Sequence, residues 1–135
     1  MAYSVYSFNQ GYSDGSVFGL YAGCSPKKTR EVTELMIAEF QKVADHGITE
    51  EELLLAKGNI SGGLALKYES TQARMSRLFS AEIVTGEFID LDTTLAAFDS
   101  VTLHQVRELA AEIAGRNRTI VAVGECQEAD FAGLY

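Results

Sequence analysis

Tryptophan is absent from the 135 residues, and cysteine occurs only twice, at Cys24 and Cys126. Two thiols a hundred residues apart make neither a disulfide framework nor a zinc-binding cluster, and reduced thiols favour an intracellular setting. No run of Lys or Arg occurs anywhere: eleven basic residues stand against nineteen acidic ones, a formal charge of −8. Nucleic acid and anionic membranes both require clustered cations, so neither is expected as a partner. No apolar stretch approaches the ~18–20 residues of a bilayer span. The opening AYSVYSFNQ lacks the basic head and apolar run of a signal peptide. A single proline and the lack of any repeat or low-complexity tract leave no linker to divide the chain. What is present excludes disorder, because 47% of residues are hydrophobic and 22% charged. The length suits one domain.

The pattern along the chain alternates first and then turns helical. Residues 2–8, rich in Tyr, Val and Phe, read as a strand, and residues 16–24 (SVFGLYAGC) as a second. Gly11, Asp14 and Gly15 supply turn chemistry in NQGYSDG between them, so a hairpin is predicted. Ser25-Pro26 opens a helix, with Ser as N-cap and Pro in the first turn. Its apolar stripe is Val32, Leu35, Met36, Phe40 and Val43, and Gly47 ends it as a left-handed residue. Thr49 and Glu52 form a capping box for a helix running past Tyr68. Gly62-Gly63 inside that helix cost up to ~1 kcal/mol each, and a close helix–helix contact is the expected reason for them.

Helical spacing resumes through Met75, Leu78, Phe79 and Ile83, and Gly86 closes it. A short helix is expected from Leu91 to Phe98, then another behind a second capping box at Thr102–Gln105, ending at Gly115. Thr119–Val123 reads as a short buried strand, and residues 125–135 as a C-terminal tail. The expected order is β-β-α-α-α-β, an α+β arrangement with helices on one face of a mostly antiparallel sheet. Three strands are few for helices this long.

Chemistry is scarce. His104 and Glu108 lie four apart on one helix, but two ligands alone do not hold zinc, and a surface polar pair is the simpler reading. His46, in a last helical turn, suits the negative end of the helix dipole. Glu50, Glu51 and Glu52 sit where acids favour a helix N-terminus. Neither a nucleophile elbow nor a phosphate-binding glycine loop occurs. Cys24, at a strand end, reads as a small buried hydrophobe. Tyr3, Tyr6, Tyr12 and Tyr21 could form an aromatic surface, although strand propensity explains most of them.

AYSVYSF, FGLYAG, the block ITEEELLLAKGNISGGLALKYESTQARMSRLFSAEIVTGE and VTLHQVRELA together resemble the pitrilysin family of zinc metallopeptidases, in its bacterial, mitochondrial-processing-peptidase-like branch. The likeness runs from about Ala2 to Gly124 and is strongest from Thr49 to Gly86, with Glu69-Ser70-Thr71 and Arg74-Met75-Ser76-Arg77-Leu78 at its centre. It implies the C-terminal part of the family's second, non-zinc domain, an incomplete LuxS/MPP-like metallohydrolase domain spanning residues 1–135 as a single partial domain.

The zinc-binding HxxEH helix of the family is absent here, so the resemblance assigns no metal ligand or catalytic residue and no cofactor to this chain. Zinc would be held by an N-terminal peptidase domain lying outside it, and the chain alone would not be catalytic. In R-x-x-x-x-L-x-Y of the second domain, the Tyr reaches substrate backbone; Tyr3 takes that position, with Met1 where Leu is usual and the Arg not in this chain. Tyr3 is therefore the implied substrate-binding residue. The chain is expected to be the end portion of a longer bacterial, cytoplasmic protein. Its role there would be to close the substrate chamber and help position peptide. A non-catalytic paired subunit or interaction module is the alternative. Alone, an uncovered sheet edge would favour a homo-oligomer.

Overall fold

The computed structural model describes residues 2–12 and 14–135, with Val84 and Thr85 described by their backbone alone. Met1 and Ser13 lie outside the described residues. The described chain divides into two compact units, one comprising residues up to His46 together with Arg107–Tyr135, the other Gly47–Val106.

In the first unit, β1 (Ala2–Gly11) and β2 (Ser16–Cys24) pair antiparallel. β1 runs three residues beyond the predicted strand, and the turn is closed by the Tyr12 N–H donating to the Gly15 carbonyl at 2.8 Å. The register sets Tyr6 opposite Tyr21 and Phe8 opposite Gly19, on one face of the hairpin. Gly19 leaves room for the Phe8 ring: a Cβ there would lie 2.2 Å from the ring's tip, so the ring would have to shift. The other face carries Phe18, whose ring meets Phe40 of the first helix at 5.4 Å between centroids.

That helix, α1 (Thr29–His46), follows a 3₁₀ turn at Pro26–Lys28. Pro26 takes the first-turn position as expected, but the Ser25 hydroxyl makes no capping bond; its carbonyl accepts from Lys28 N–H at 2.9 Å instead. The tight turn uses the backbone where a side chain was expected. Gly47, at φ 77°, is the left-handed residue that ends α1. Val32 and Ala44 of α1, Ala110 of α5 (Leu103–Ala114) and Phe131 form the buried core among the described residues. Phe131 belongs to a 3₁₀ turn at Glu128–Phe131, within the C-terminal tail. Arg30 of α1 donates to the Asp130 carbonyl at 3.0 Å, so the tail docks on this helix.

The second unit contains α2 (Glu50–Lys67), α3 (Thr71–Ser80), a π turn (Ala81–Thr85) and α4 (Leu91–Asp99). The expected capping boxes are both formed. Glu52 N–H donates to Thr49 Oγ1 at 3.2 Å while Glu52 Oε2 accepts from Thr49 N–H at 2.7 Å. Thr102 and Gln105 repeat the arrangement ahead of α5, at 3.3 and 2.8 Å. Gly86, at φ 71°, closes the π turn, and its N–H reaches the Ala81 carbonyl. Lys57 Nζ donates to the Asp99 carbonyl at 2.7 Å, tying α2 to the end of α4.

The molecule is α+β, with strands first and helices following. Three further expectations are corrected. Thr119–Val123 is not a strand: it is irregular, and the sheet has two strands among the described residues. A strand exists only by bonding to a neighbour, and among the described residues Thr119–Val123 makes no backbone hydrogen bond to β1 or β2. Helix α2 ends at Lys67, with Tyr68 as its cap, rather than running past Tyr68. Finally, a Cβ added at Gly62 or Gly63 would meet nothing within 4 Å, so no close contact accounts for this pair. No helix among the described residues is long and apolar enough to cross a membrane.

Candidate substrate-contact site

Tyr3 lies at an irregularity of the hairpin. Ala2 pairs with Cys24 and Ser4 with Gly23, so β1 spends two steps where β2 spends one. Tyr3 is the extra residue of that β-bulge, and its side chain is 82% exposed. Bulges re-aim a side chain and interrupt pairing, and they are enriched beside active sites. An ordinary strand tyrosine would lie against its cross-strand neighbours, as Tyr6 does on Tyr21 with centroids 4.7 Å apart. Tyr3 projects free of the ladder, with its phenol available to donate or accept a hydrogen bond. Tyr6 and Phe8 continue the same strand, their rings 6.5 Å apart, while Tyr12 stands exposed at the turn.

Arg77 of α3 has its guanidinium carbon 4.9 Å from the Tyr68 ring centroid and 5.5 Å from that of Phe88. The same group donates to the Ile89 carbonyl and, at 2.9 Å, to Thr94 Oγ1. Arg74 Nε donates to the Tyr68 carbonyl at 2.5 Å. Both arginines of the Arg74–Leu78 motif are therefore spent on carbonyls at helix ends. The sequence marked the motif but not this purpose; the aromatic residues at 68 and 88, on either side of it, were the available signal.

Two carboxylates are perturbed, both by capping. The Thr49 N–H and then its hydroxyl hold Glu52 below its ordinary value of 4.5. Hydrogen bonding from Thr93, first its backbone N–H, holds Asp90 below 3.8, with Arg77 adding a smaller push. Neither carries catalytic character. Cys24 and Cys126 are free and half-buried. Among the described residues no three His, Cys, Asp or Glu side chains stand together as a metal ion would need, so these residues do not fit zinc.

A hairpin backed by a helix, an out-turned tyrosine and, among the described residues, no cluster of metal-ligating side chains characterise this α+β chain. Residues 1–60 match the family model described as the Peptidase M16 inactive domain. An uncharacterized zinc protease of Streptomyces coelicolor is 36% identical over 135 residues, covering 100% of this chain and 29% of that protein. Another from Bacillus subtilis is 31% identical over 113 residues, 84% of this chain and 28% of that protein. The mitochondrial cytochrome b-c1 complex subunit 2 of Mus musculus is 23% identical over 129 residues, 96% of this chain and 28% of that protein. The chain belongs to the pitrilysin, or M16, peptidase family, as part of its inactive domain. It spans less than a third of the length of the curated relatives it matches.

Proposed function

We propose that this chain is the end portion of the non-catalytic domain of a bacterial, cytoplasmic zinc metalloendopeptidase, a single partial domain that closes the substrate chamber and positions an extended peptide. Tyr3 carries the reading. It takes the tyrosine position of the family pattern, and it stands exposed at a bulge rather than packed in the ladder. In this role the Tyr3 phenol donates a hydrogen bond to a backbone carbonyl of the peptide, where a positioned donor stabilises developing negative charge. Zinc would be bound by a separate peptidase domain, the chain's expected partner, and none of the residues described here takes part in holding it. No finding supports a homo-oligomer in its place.

The test is Tyr3→Phe in the two-domain enzyme. The expected result is a loss of roughly 10²-fold in kcat/KM, expressed in kcat, with zinc content unchanged. Unaltered kcat/KM would remove Tyr3 from the reaction. The alternative, a paired non-catalytic subunit, draws on the likeness to cytochrome b-c1 complex subunit 2. Recovery of the chain in a stable complex with a separately encoded HxxEH protein would favour that version.

A further inference from the structure

Among the six aspartates and three asparagines of the chain, Asp14 alone is followed by glycine. It stands with Gly15 in the turn between β1 and β2, exposed to solvent. The bond that closes this turn, from the Tyr12 N–H at 2.8 Å, uses the carbonyl of Gly15 and leaves its nitrogen over. Among the described residues the Gly15 N–H makes no hydrogen bond, and the Asp14 carboxyl group has no hydrogen-bond or ion-pair partner. The space around the pair is open, since a Cβ built on Gly15 would meet nothing within 4 Å.

An amide nitrogen lies four bonds from the Cγ of the aspartate before it, so joining the two closes a five-membered ring. The reaction is held back where a helix or ladder fixes the backbone, or where a side chain on the following residue narrows its rotation. The other aspartates and asparagines are restrained in these ways. Asp45 lies within α1, Asn59 within α2, Asp92 and Asp99 within α4, and Asn9 in β1. Asp90 and Asp130 have their carboxylates engaged by the N–H groups of Thr93 and Gln127, at 2.7 and 2.8 Å. Asn117 is followed by Arg118.

We propose that Asp14–Gly15 is a site of spontaneous backbone modification, at which Asp14 passes through a cyclic imide to isoaspartate. The Gly15 nitrogen attacks Cγ of the un-ionised Asp14 carboxyl group. A C–N bond forms, a C–O bond breaks, and the hydroxyl leaves with the amide proton as water. Water then adds to either carbonyl of the imide and opens the ring. Opening at the main-chain carbonyl of Asp14 sends the backbone through the side-chain carbon, with one extra methylene and a free α-carboxylate. Water is the sole co-reactant, and the net charge does not change.

The extra methylene falls between Tyr12 and Gly15. The bond that closes the turn is therefore lost, and the neighbouring pairs Gly11–Ser16 and Gln10–Val17 fray. Tyr3, at the other end of β1, keeps its place whatever its role with substrate.

The experiment is ageing of the purified chain in warm, mildly acidic water enriched in heavy oxygen, followed by proteolysis and fragmentation mass spectrometry that tells aspartate from isoaspartate. One heavy oxygen should enter residue 14 at each passage through the ring. Isoaspartate should accumulate there, with label at every other aspartate at least about 10-fold lower. Asp14→Glu should abolish the label, because the ring would need six members. Gly15→Ala should slow it by about 10-fold, through the narrower backbone range of alanine. Neither variant strains the turn, since Asp14 is exposed and Gly15 has open space at its Cβ and no positive φ. In the separated isoaspartyl fraction the Tyr12 amide should exchange about 10-fold faster, with the Tyr6 and Tyr21 amides unchanged.

Label absent from residue 14, or no richer there than at the helical aspartates, would overturn the proposal. So would label that enters residue 14 only when the chain is unfolded in urea, since the folded turn would then keep the Gly15 nitrogen away from the carboxyl group.

Discussion

Two side chains of similar visibility in the sequence turn out to have opposite employment. Arg77 belongs to the most distinctive motif of the chain. Its geometry is structural: two rings, one carbonyl and one hydroxyl occupy the guanidinium. Arg77→Ala should destabilise the second unit by about 1–3 kcal/mol, from lost cation–π contact and lost charge-assisted hydrogen bonds. Arg77→Lys should recover only part of this, because an ammonium cannot bridge two acceptors in the plane between two rings. Thermal melts of the two variants check the order. Tyr3 is the reverse case. Its exposure means that Tyr3→Phe should shift chain stability by less than about 0.5 kcal/mol, so any activity change in the whole enzyme would reflect chemistry rather than folding.

Elements with local causes were legible from the residues alone. Both capping boxes, the left-handed Gly47, the helix end at Gly86 and α4 depend on residues within a few positions of each other, and all are formed. Glu52 and Asp90 give these caps a pH signature. Their folded pKa values lie below the ordinary 4.5 and 3.8, so the stabilisation is fully present above those values. It is lost as pH falls through the folded values. Helix content measured by circular dichroism should therefore decline from about pH 4.5 downward, and Thr49→Ala should weaken that acid dependence.

Gly62 and Gly63 tell against a purely local explanation. Their Cβ positions are open, so Gly62→Ala and Gly63→Ala should each raise stability by roughly 0.5–1 kcal/mol in this chain. If the same changes weaken the two-domain enzyme, close packing there is what the glycines serve. Denaturant titration of both forms separates the two effects.

For the whole molecule, composition set the class early: an acidic α+β chain without cation clusters, disulfide framework or metal-ligand spacing. The hairpin and the two capping boxes followed from periodicity and capping residues, because these are encoded by neighbours in sequence, while the family was reached by resemblance of the Thr49–Gly86 block and the segments flanking it. The fate of Thr119–Val123 was not so encoded. Its residues favour a strand, but a strand exists only by bonding to another, and whether an edge is present is a property of three-dimensional arrangement. The same holds for Arg77, whose two rings come from α2's end and from the segment before α4, and for Tyr3, whose release from the ladder depends on register. Sequence alone decided what these segments are able to form, while the tertiary structure decided which found partners, since hydrogen bonds and apolar burial are satisfied only between groups brought together in space.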